Sequence, residues 1–217
     1  MVRRQAERAG RRWCWSNSAL VSVSQLESAL RRLVGDLVAE KVEFALVGGL
    51  AISIRAEPRL TRDADFAVSV RDDSMAEEIV RNLAARGYRP DLVQEHERGR
   101  LATVRLANPE SPIFSDLLFA SSGIEPEVVA AAESLEVLPR FEVPVATTGH
   151  LIALKLLARD DRVRPADADD LRALAAIAVG ADWEVARSAV GLIRERGYER
   201  GRDLETALSE LQATRSP

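Results

Sequence analysis

The sequence predicts an α/β (α+β) fold, a sheet flanked by helices and followed by a mainly helical C-terminal lobe. Three observations carry this reading. Short apolar segments of strand length, Phe44 to Val47, Phe66 to Val70, Leu101 to Leu106 and Ile113 to Phe119, alternate with helical patterns in the first half of the chain. Two helical patterns open on capping boxes, Ser24 with Glu27 and Ser74 with Glu77. After Gly123 the chain turns to Ala and Leu at helical spacing. It divides accordingly into a basic leader over 1–22, a core over 23–122 and a helical lobe over 123–217.

The leader carries Arg3, Arg4, Arg8, Arg11 and Arg12 with little periodicity, which reads as a flexible segment rather than a nucleic-acid arm. From Ser24, Leu26, Leu30, Leu33, Val34, Leu37 and Val38 form one face of a helix that runs to Lys41. The strand Phe44 to Val47 is closed by Gly48-Gly49, and a short helix from Leu50 to Ala56 is stopped by Pro58. An aspartate-bearing strand follows. Met75, Ile79, Val80 and Leu83 then give the buried stripe of a helix that Gly87 ends. The two later strands are joined by the turn-rich Asn108-Pro109-Glu110-Ser111-Pro112. Beyond Gly123 the pattern is helical over Glu125 to Ser134, extended over Phe141 to Val145, and helical again from near Thr148, Ala166, Asp182 and Asp203.

Bulk properties bound the function. The 217 residues, 47% hydrophobic, suffice for a packed core. With 30 Lys+Arg against 34 Asp+Glu the net charge is −4, which argues against coating nucleic acid through bulk charge and leaves room for a local basic patch. Cys14 is the single cysteine, so an intrachain disulfide and a cysteine metal cluster are excluded, as expected in a reducing cytoplasm. No run of 18 apolar residues occurs and no uninterrupted apolar stretch follows the leader arginines, so a soluble, cytoplasmic protein without a membrane partner is expected. His96 and His150 lack the spaced partners of a zinc site.

The chemistry concentrates in Leu60-Thr61-Arg62-Asp63-Ala64-Asp65-Phe66. Side chains two apart on a strand share a face, so Asp63 and Asp65 project together. Two carboxylates about 4 Å apart repel by roughly 4 kcal/mol at an effective dielectric near 20, so the pair calls for a proton or a cation. Magnesium takes such hard oxygen ligands and bridges them to phosphates. An Asp-x-Asp alone is also compatible with a solvated turn. Thr61, two residues before Asp63, is expected on the same strand face beside the carboxylates. Gly48-Gly49, between strand and helix, either exposes backbone N–H groups for phosphate oxygens or permits close helix packing. Asp116 lies within the apolar Ile113 to Phe119 and is the natural third ligand. Lys155, surrounded by apolar residues, either meets an anion or reaches solvent. Asp167 is explained by default as a helix-start acid.

Taken in order, Gly48-Gly49, Arg59 through Asp65, Asp116, Leu151 through Ala158 with Lys155, and Asp167-Ala168-Asp169-Asp170-Leu171 resemble the AbiEii-type nucleotidyltransferase toxins of the DNA polymerase β-like superfamily. The resemblance spans roughly residues 42 to 175. It implies a minimal nucleotidyltransferase core with a mixed sheet, a helical C-terminal lobe, and transfer of a nucleoside monophosphate from a nucleoside triphosphate (NTP). It further implies an RNA acceptor, the tRNA 3′ end in several members, and a cognate antitoxin partner. Asp63 and Asp65 would bind magnesium or manganese, Asp116 would complete the site or act as base, and Lys155 would hold the triphosphate. Asp167 or Asp170 matches the downstream acid. The chain departs from many superfamily members in carrying Gly48-Gly49 where they have Gly-Ser.

Arg55, Arg59, Arg62, Arg98, Arg100 and Arg105 are expected to flank the acceptor cleft and contact phosphates. Two other functions are compatible with the same fold, a small-molecule nucleotidyltransferase of the aminoglycoside-modifying type and a non-catalytic regulatory relative. The basic residues favour an RNA acceptor over a cationic antibiotic. Retention of the aspartates and Lys155 favours an enzyme.

Overall fold

The computed structural model describes residues 23–57, 61, 63–96, 99–159 and 166–214. The leader, the Ser24 cap side chain and the Pro58 stop lie outside the described residues. Helix α1 (Val23–Ala39) buries Leu30, Leu33, Val34 and Leu37 along the predicted face, whereas Val38 is 61% exposed. Strand β1 (Glu43–Val47) runs into α2 (Gly48–Arg55), so the glycine pair forms the first turn of that helix rather than preceding it. Strand β2 (Asp63–Ser69) leads to α3 (Asp73–Ala85). The cap of α3 is Asp72, whose carboxylate accepts the Met75 N–H at 2.9 Å, and not the expected Ser74. A carboxylate in extended backbone just outside the helix serves both the free N–H groups and the dipole, which leaves Ser74 inside the first turn.

Strands β3 (Arg89–Glu95), β4 (Leu101–Ala107) and β5 (Phe114–Leu118) follow, then α4 (Glu125–Ala130), β6 (Glu133–Leu138) and β7 (Phe141–Val145). The helix expected over Glu125 to Ser134 therefore stops at Ala130, and two strands, β3 and β6, were not foreseen. Both are sheet edges. The sheet has seven strands in the order β3-β4-β5-β2-β1-β7-β6. It is mixed: β2 pairs parallel with β5 and β1 parallel with β7, while β1–β2, β3–β4, β4–β5 and β6–β7 are antiparallel. Phe44 and Phe66 meet edge to face on one side of the central pair, with ring centroids 5.7 Å apart.

The C-terminal helices are α5 (Thr148–Ala158), α6 (Ala166–Ile177), α7 (Gly180–Glu195) and α8 (Leu204–Ala213). Helix α5 packs on α2, α6, α7 and α8 and is buried over most of its length. It is the joint between sheet and lobe. Arg55 reinforces this joint by donating to the carbonyls of Ala146 at 2.6 Å and Val145 at 3.1 Å, and by pairing with Glu133 at 2.7 Å. Among the described residues, no helix is long and apolar enough to cross a membrane.

Gly149 allows α5 and α7 to touch. A Cβ at this position would overlap the Asp182 carbonyl oxygen and press on Val185. Gly149→Ala is therefore expected to lower stability by about 1–3 kcal/mol through overpacking, despite the higher helix propensity of Ala. Urea unfolding of the two proteins measures this, and an unchanged or raised midpoint would contradict the packing described.

Candidate functional site

The sheet register brings the acidic residues together. Asp65 pairs in register with Val47 of β1 on one side and with Asp116 of β5 on the other. Asp63 lies two residues before Asp65 on the same strand, opposite Phe114. Gly48 turns the chain out of β1 with a φ of 66°, in the left-handed region, directly over Asp65. A Cβ on Gly48 would overlap the Asp65 carboxylate. Glycine is thus required twice here, for its backbone angle and for the approach of the carboxylate.

Although part of Asp65 reaches the cleft surface, its carboxyl is closely surrounded. Burial pushes it up to about 7, and the charges of Asp116 and Asp63 push in the same direction, while Lys155 and Arg105 pull it down. Asp116 is held by Arg105, which donates from Nε to Oδ1 at 2.8 Å and from Nη2 to Oδ2 at 2.7 Å. Arg105 sits opposite Asp116 in the β4–β5 ladder. That bidentate bond raises the guanidinium pKa further above its ordinary value.

Lys155 does not snorkel to solvent. Its ammonium bonds Asp167 at 2.9 Å and Asp170 at 3.0 Å, with the three side chains 13%, 6% and 2% exposed. Both acids that matched the downstream position are therefore partners of Lys155, and Asp167 makes this ion pair from the first turn of α6, where a helix-start acid was expected. Asp167 Oδ2 is buried and without a hydrogen-bond partner among the described residues. Two of the three Lys155 ammonium hydrogens are directed at these acids, and Lys155 also lines the cleft.

The cleft holds about 260 Å3 and is walled by Val47, Gly48, Asp65, Asp116 and Lys155. Thr61 is placed differently from expectation. It precedes β2, and its hydroxyl donates to the Asp63 carbonyl at 3.2 Å, so the strand pleat that was to align it with the carboxylates begins only at Asp63. Of the arginines expected around the cleft, the three described ones are engaged within the protein. Arg55 braces β7, Arg100 pairs with Asp73 at 3.1 Å and Arg105 pairs with Asp116. Arg59, Arg62 and Arg98 lie outside the described residues.

Among the described residues, no group of three or more His, Cys, Asp or Glu side chains converges to hold a metal ion as it stands. Asp116 has both oxygens on Arg105, which breaks the expected trio into Asp63 and Asp65 beside a separately bound Asp116. The donor chemistry of the pair nonetheless fits a hard divalent cation: oxygen donors only, carboxylate charge from Asp63 and Asp116 around Asp65, and the Gly48 backbone, bare of a side chain of its own, directly against the Asp65 carboxylate. Sequence reasoning did not foresee the Arg105–Asp116 pairing or Arg200, which also lines the cleft. The first had a signal, since Arg105 is the one cation within the strand pattern Leu101 to Leu106. The second had none.

A family model described as nucleotidyl transferase AbiEii toxin, Type IV TA system, matches residues 30–216. Among solved structures the chain is similar to the antibiotic-resistance factor ANT(2'')-Ia in its solution structure, at 17% identity over 88% of this chain and 98% of that one, with a TM-score of 0.53. It is also similar to an antigenic nucleotidyltransferase-like protein from Paracoccidioides brasiliensis, at 16% identity over 87% and 94% of the two chains, with a TM-score of 0.49. The first of these likenesses shows a shared fold. No curated protein matches the chain.

The raised Asp65 pKa has a consequence for stability in EDTA. Below about pH 4 the group is protonated whether folded or not. Between there and about pH 7 the unfolded chain ionises first, so stability is lost as pH rises, and the full cost is present above about pH 7. Asp65→Asn removes this cost. Allowing for partial exposure, its stability advantage over the native protein should be about 1–2 kcal/mol larger at pH 8 than at pH 5. Denaturant midpoints at the two pH values measure it, and an equal difference at both would mean that Asp65 is not strained by its surroundings.

Proposed function

The chain belongs to the AbiEii nucleotidyltransferase toxin family, and from that premise we propose that it moves a nucleoside monophosphate from an NTP to an RNA acceptor, the 3′ end of tRNA, and so blocks translation. The observation that carries this reading is the register that sets Asp63 and Asp65 of β2 beside Asp116 of β5, with the Asp65 carboxylate against the bare backbone of Gly48. A site that concentrates unbalanced carboxylate charge beneath an open backbone turn is suited to a metal–triphosphate complex. A cognate antitoxin accords with the description of the family as toxins.

Asp63 and Asp65 would hold magnesium or manganese. When bound, the metal offsets charge on the triphosphate and aligns attacking and leaving oxygens for in-line displacement. Gly48 and Gly49 present the start of α2 to the phosphates with no side chain intervening. Lys155, oriented by Asp167 and Asp170, directs its remaining hydrogen at the triphosphate. Asp116, oriented by Arg105, accepts the proton of the acceptor hydroxyl. The hydroxyl oxygen bonds to the α-phosphorus, the bond from that phosphorus to the bridging oxygen breaks, and pyrophosphate leaves. Thr61 supports the loop through its bond to the Asp63 carbonyl.

Purified protein incubated with each labelled NTP, magnesium and total RNA tests the reading. Label at the 3′ end of tRNA-sized RNA is expected, and failure of every NTP to label RNA would overturn it. Asp63→Ala and Asp65→Ala should each abolish transfer while the protein stays folded, because they remove metal ligands and relieve repulsion rather than open the core. Wild-type transfer by either variant would remove the metal assignment.

Lys155→Ala would remove the buried ammonium that Asp167 and Asp170 share, a loss of about 3–5 kcal/mol. Lys155→Arg keeps the charge and is the better kinetic probe. It should raise the KM for the triphosphate about tenfold or more, because the planar guanidinium cannot reproduce the ammonium geometry. An unchanged KM would confine Lys155 to a structural role.

A further inference from the structure

The cleft continues past Asp116. Along the sheet order β1, β2, β5, β4, β3, it opens into a basin of about 400 Å3 lined by Gln94 and Glu95 of β3, Thr103 of β4, His96, Ser121 and Arg200. Gln94, Thr103, Ser121 and Arg200 line both spaces, so cleft and basin form one groove. The groove is ordered chemically. Gly48 stands at its β1 side, the aspartates on β2 and β5 at its middle, and the basin at its β3–β4 side.

Arg200 differs from most arginines around it. Arg32, Arg55, Arg86, Arg100, Arg105 and Arg196 all pair with carboxylates. Among the described residues, Arg200 has no carboxylate within ion-pair distance. It donates only from Nη2, to the Ser121 carbonyl at 2.7 Å and to Ser121 Oγ at 3.3 Å, which leaves the other edge of its fork uncommitted. Arg200 is exposed at the rim of the basin, with that free edge open to an incoming anion. Its φ of 56° lies in the left-handed region, and Gly201 follows at 69°. That backbone is strained for a non-glycine residue, and the chain nonetheless places a long cation there.

The surroundings fix it in place. Buried Glu125 accepts from Ser121 N at 2.9 Å, Ser122 N at 2.6 Å and Ser122 Oγ at 2.8 Å, which holds the loop that Arg200 grips. Tyr198 stacks on His96 with centroids 4.1 Å apart and lies against Gly123 so closely that a Cβ there would overlap its ring. The result is a preformed basin in which, among the described residues, Arg200 is the one lining cation, with the Glu95 carboxylate at the same wall.

We propose that this basin is the acceptor subsite and that Arg200 anchors a phosphate of the acceptor's sugar–phosphate chain. The assignment rests on the RNA-acceptor reading above. A triphosphate bound at Gly48 lies on the β1 side of the aspartates, so the occupant beyond Asp116, the residue that faces the attacking hydroxyl, is the acceptor. A polycationic acceptor would meet the Arg200 charge, whereas a phosphodiester is drawn to it.

Titration of labelled bulk tRNA and, separately, of a non-hydrolysable triphosphate with magnesium, against the native chain, Arg200→Ala, Arg200→Glu and Arg200→Lys, tests it. Arg200→Ala should weaken tRNA binding about tenfold and Arg200→Glu further, with most of the loss restored in Arg200→Lys. The slope of log affinity against log salt should fall by about 1 in Arg200→Ala, as for one lost phosphate contact. Triphosphate affinity and thermal midpoint should stay within twofold and 2 °C, roughly, of the native chain. Undiminished tRNA affinity in Arg200→Glu overturns the proposal, as does loss of triphosphate affinity alone, which would give Arg200 to the donor nucleotide. If the native chain transfers label to tRNA and Arg200→Glu does so equally, only this inference fails. If the native chain binds triphosphate and no tRNA, the RNA-acceptor reading fails and this inference with it.

Discussion

The approach of the Asp65 carboxylate to the bare backbone of Gly48 sets the geometry of the whole site. It requires the left-handed turn out of β1, the absence of a Cβ, and the antiparallel register that places Val47 opposite Asp65. The parallel register of β2 with β5 then sets Asp116 beside Asp65. Like charges so arranged are tolerable only because Lys155 and Arg105 flank them. Each flanking cation is in turn fixed from elsewhere, Lys155 by two buried acids on α6 and Arg105 by its fork on Asp116. Remove the close approach and the remaining charges lose their common centre.

This arrangement sacrifices stability. A closely surrounded carboxyl pushed up to about 7 and a lysine with two acids buried around it are both costly relative to apolar packing of the same volume. The cost is borne by the apolar joint around α5, which buries Leu151, Ile152, Leu156 and Leu157 against its neighbours. Such strain retained at a cleft is what a site built to receive cation and phosphate requires.

Legibility in the sequence followed burial. The faces of α1 and α3 and the strands β1, β2, β4 and β5 were readable because their core-facing residues recur in a regular period or in an unbroken apolar run. β3 was unreadable because all of Arg89–Glu95 is exposed, leaving no alternation to detect. β6 is an edge strand with exposed glutamates and fails for the same reason. The aspartates were legible because charge inside an apolar strand is anomalous. Their partners were not: Lys155 with Asp170, or Arg200 with Ser121, are set by the fold across intervals that no local pattern spans. Thr61 shows the converse error, in which strand periodicity was extended two residues beyond the strand.

The central claim is that Asp63 and Asp65 together hold a divalent cation beneath Gly48. Manganese substituted for magnesium in crystals grown with a non-hydrolysable triphosphate would reveal the ion directly through its anomalous scattering. The account predicts a peak about 2.1 Å from an oxygen of each carboxylate, shared with a phosphate oxygen lying over the Gly48 backbone. A nucleotide bound in the cleft with its metal ligated elsewhere, and with Asp65 untouched by it, would contradict the account.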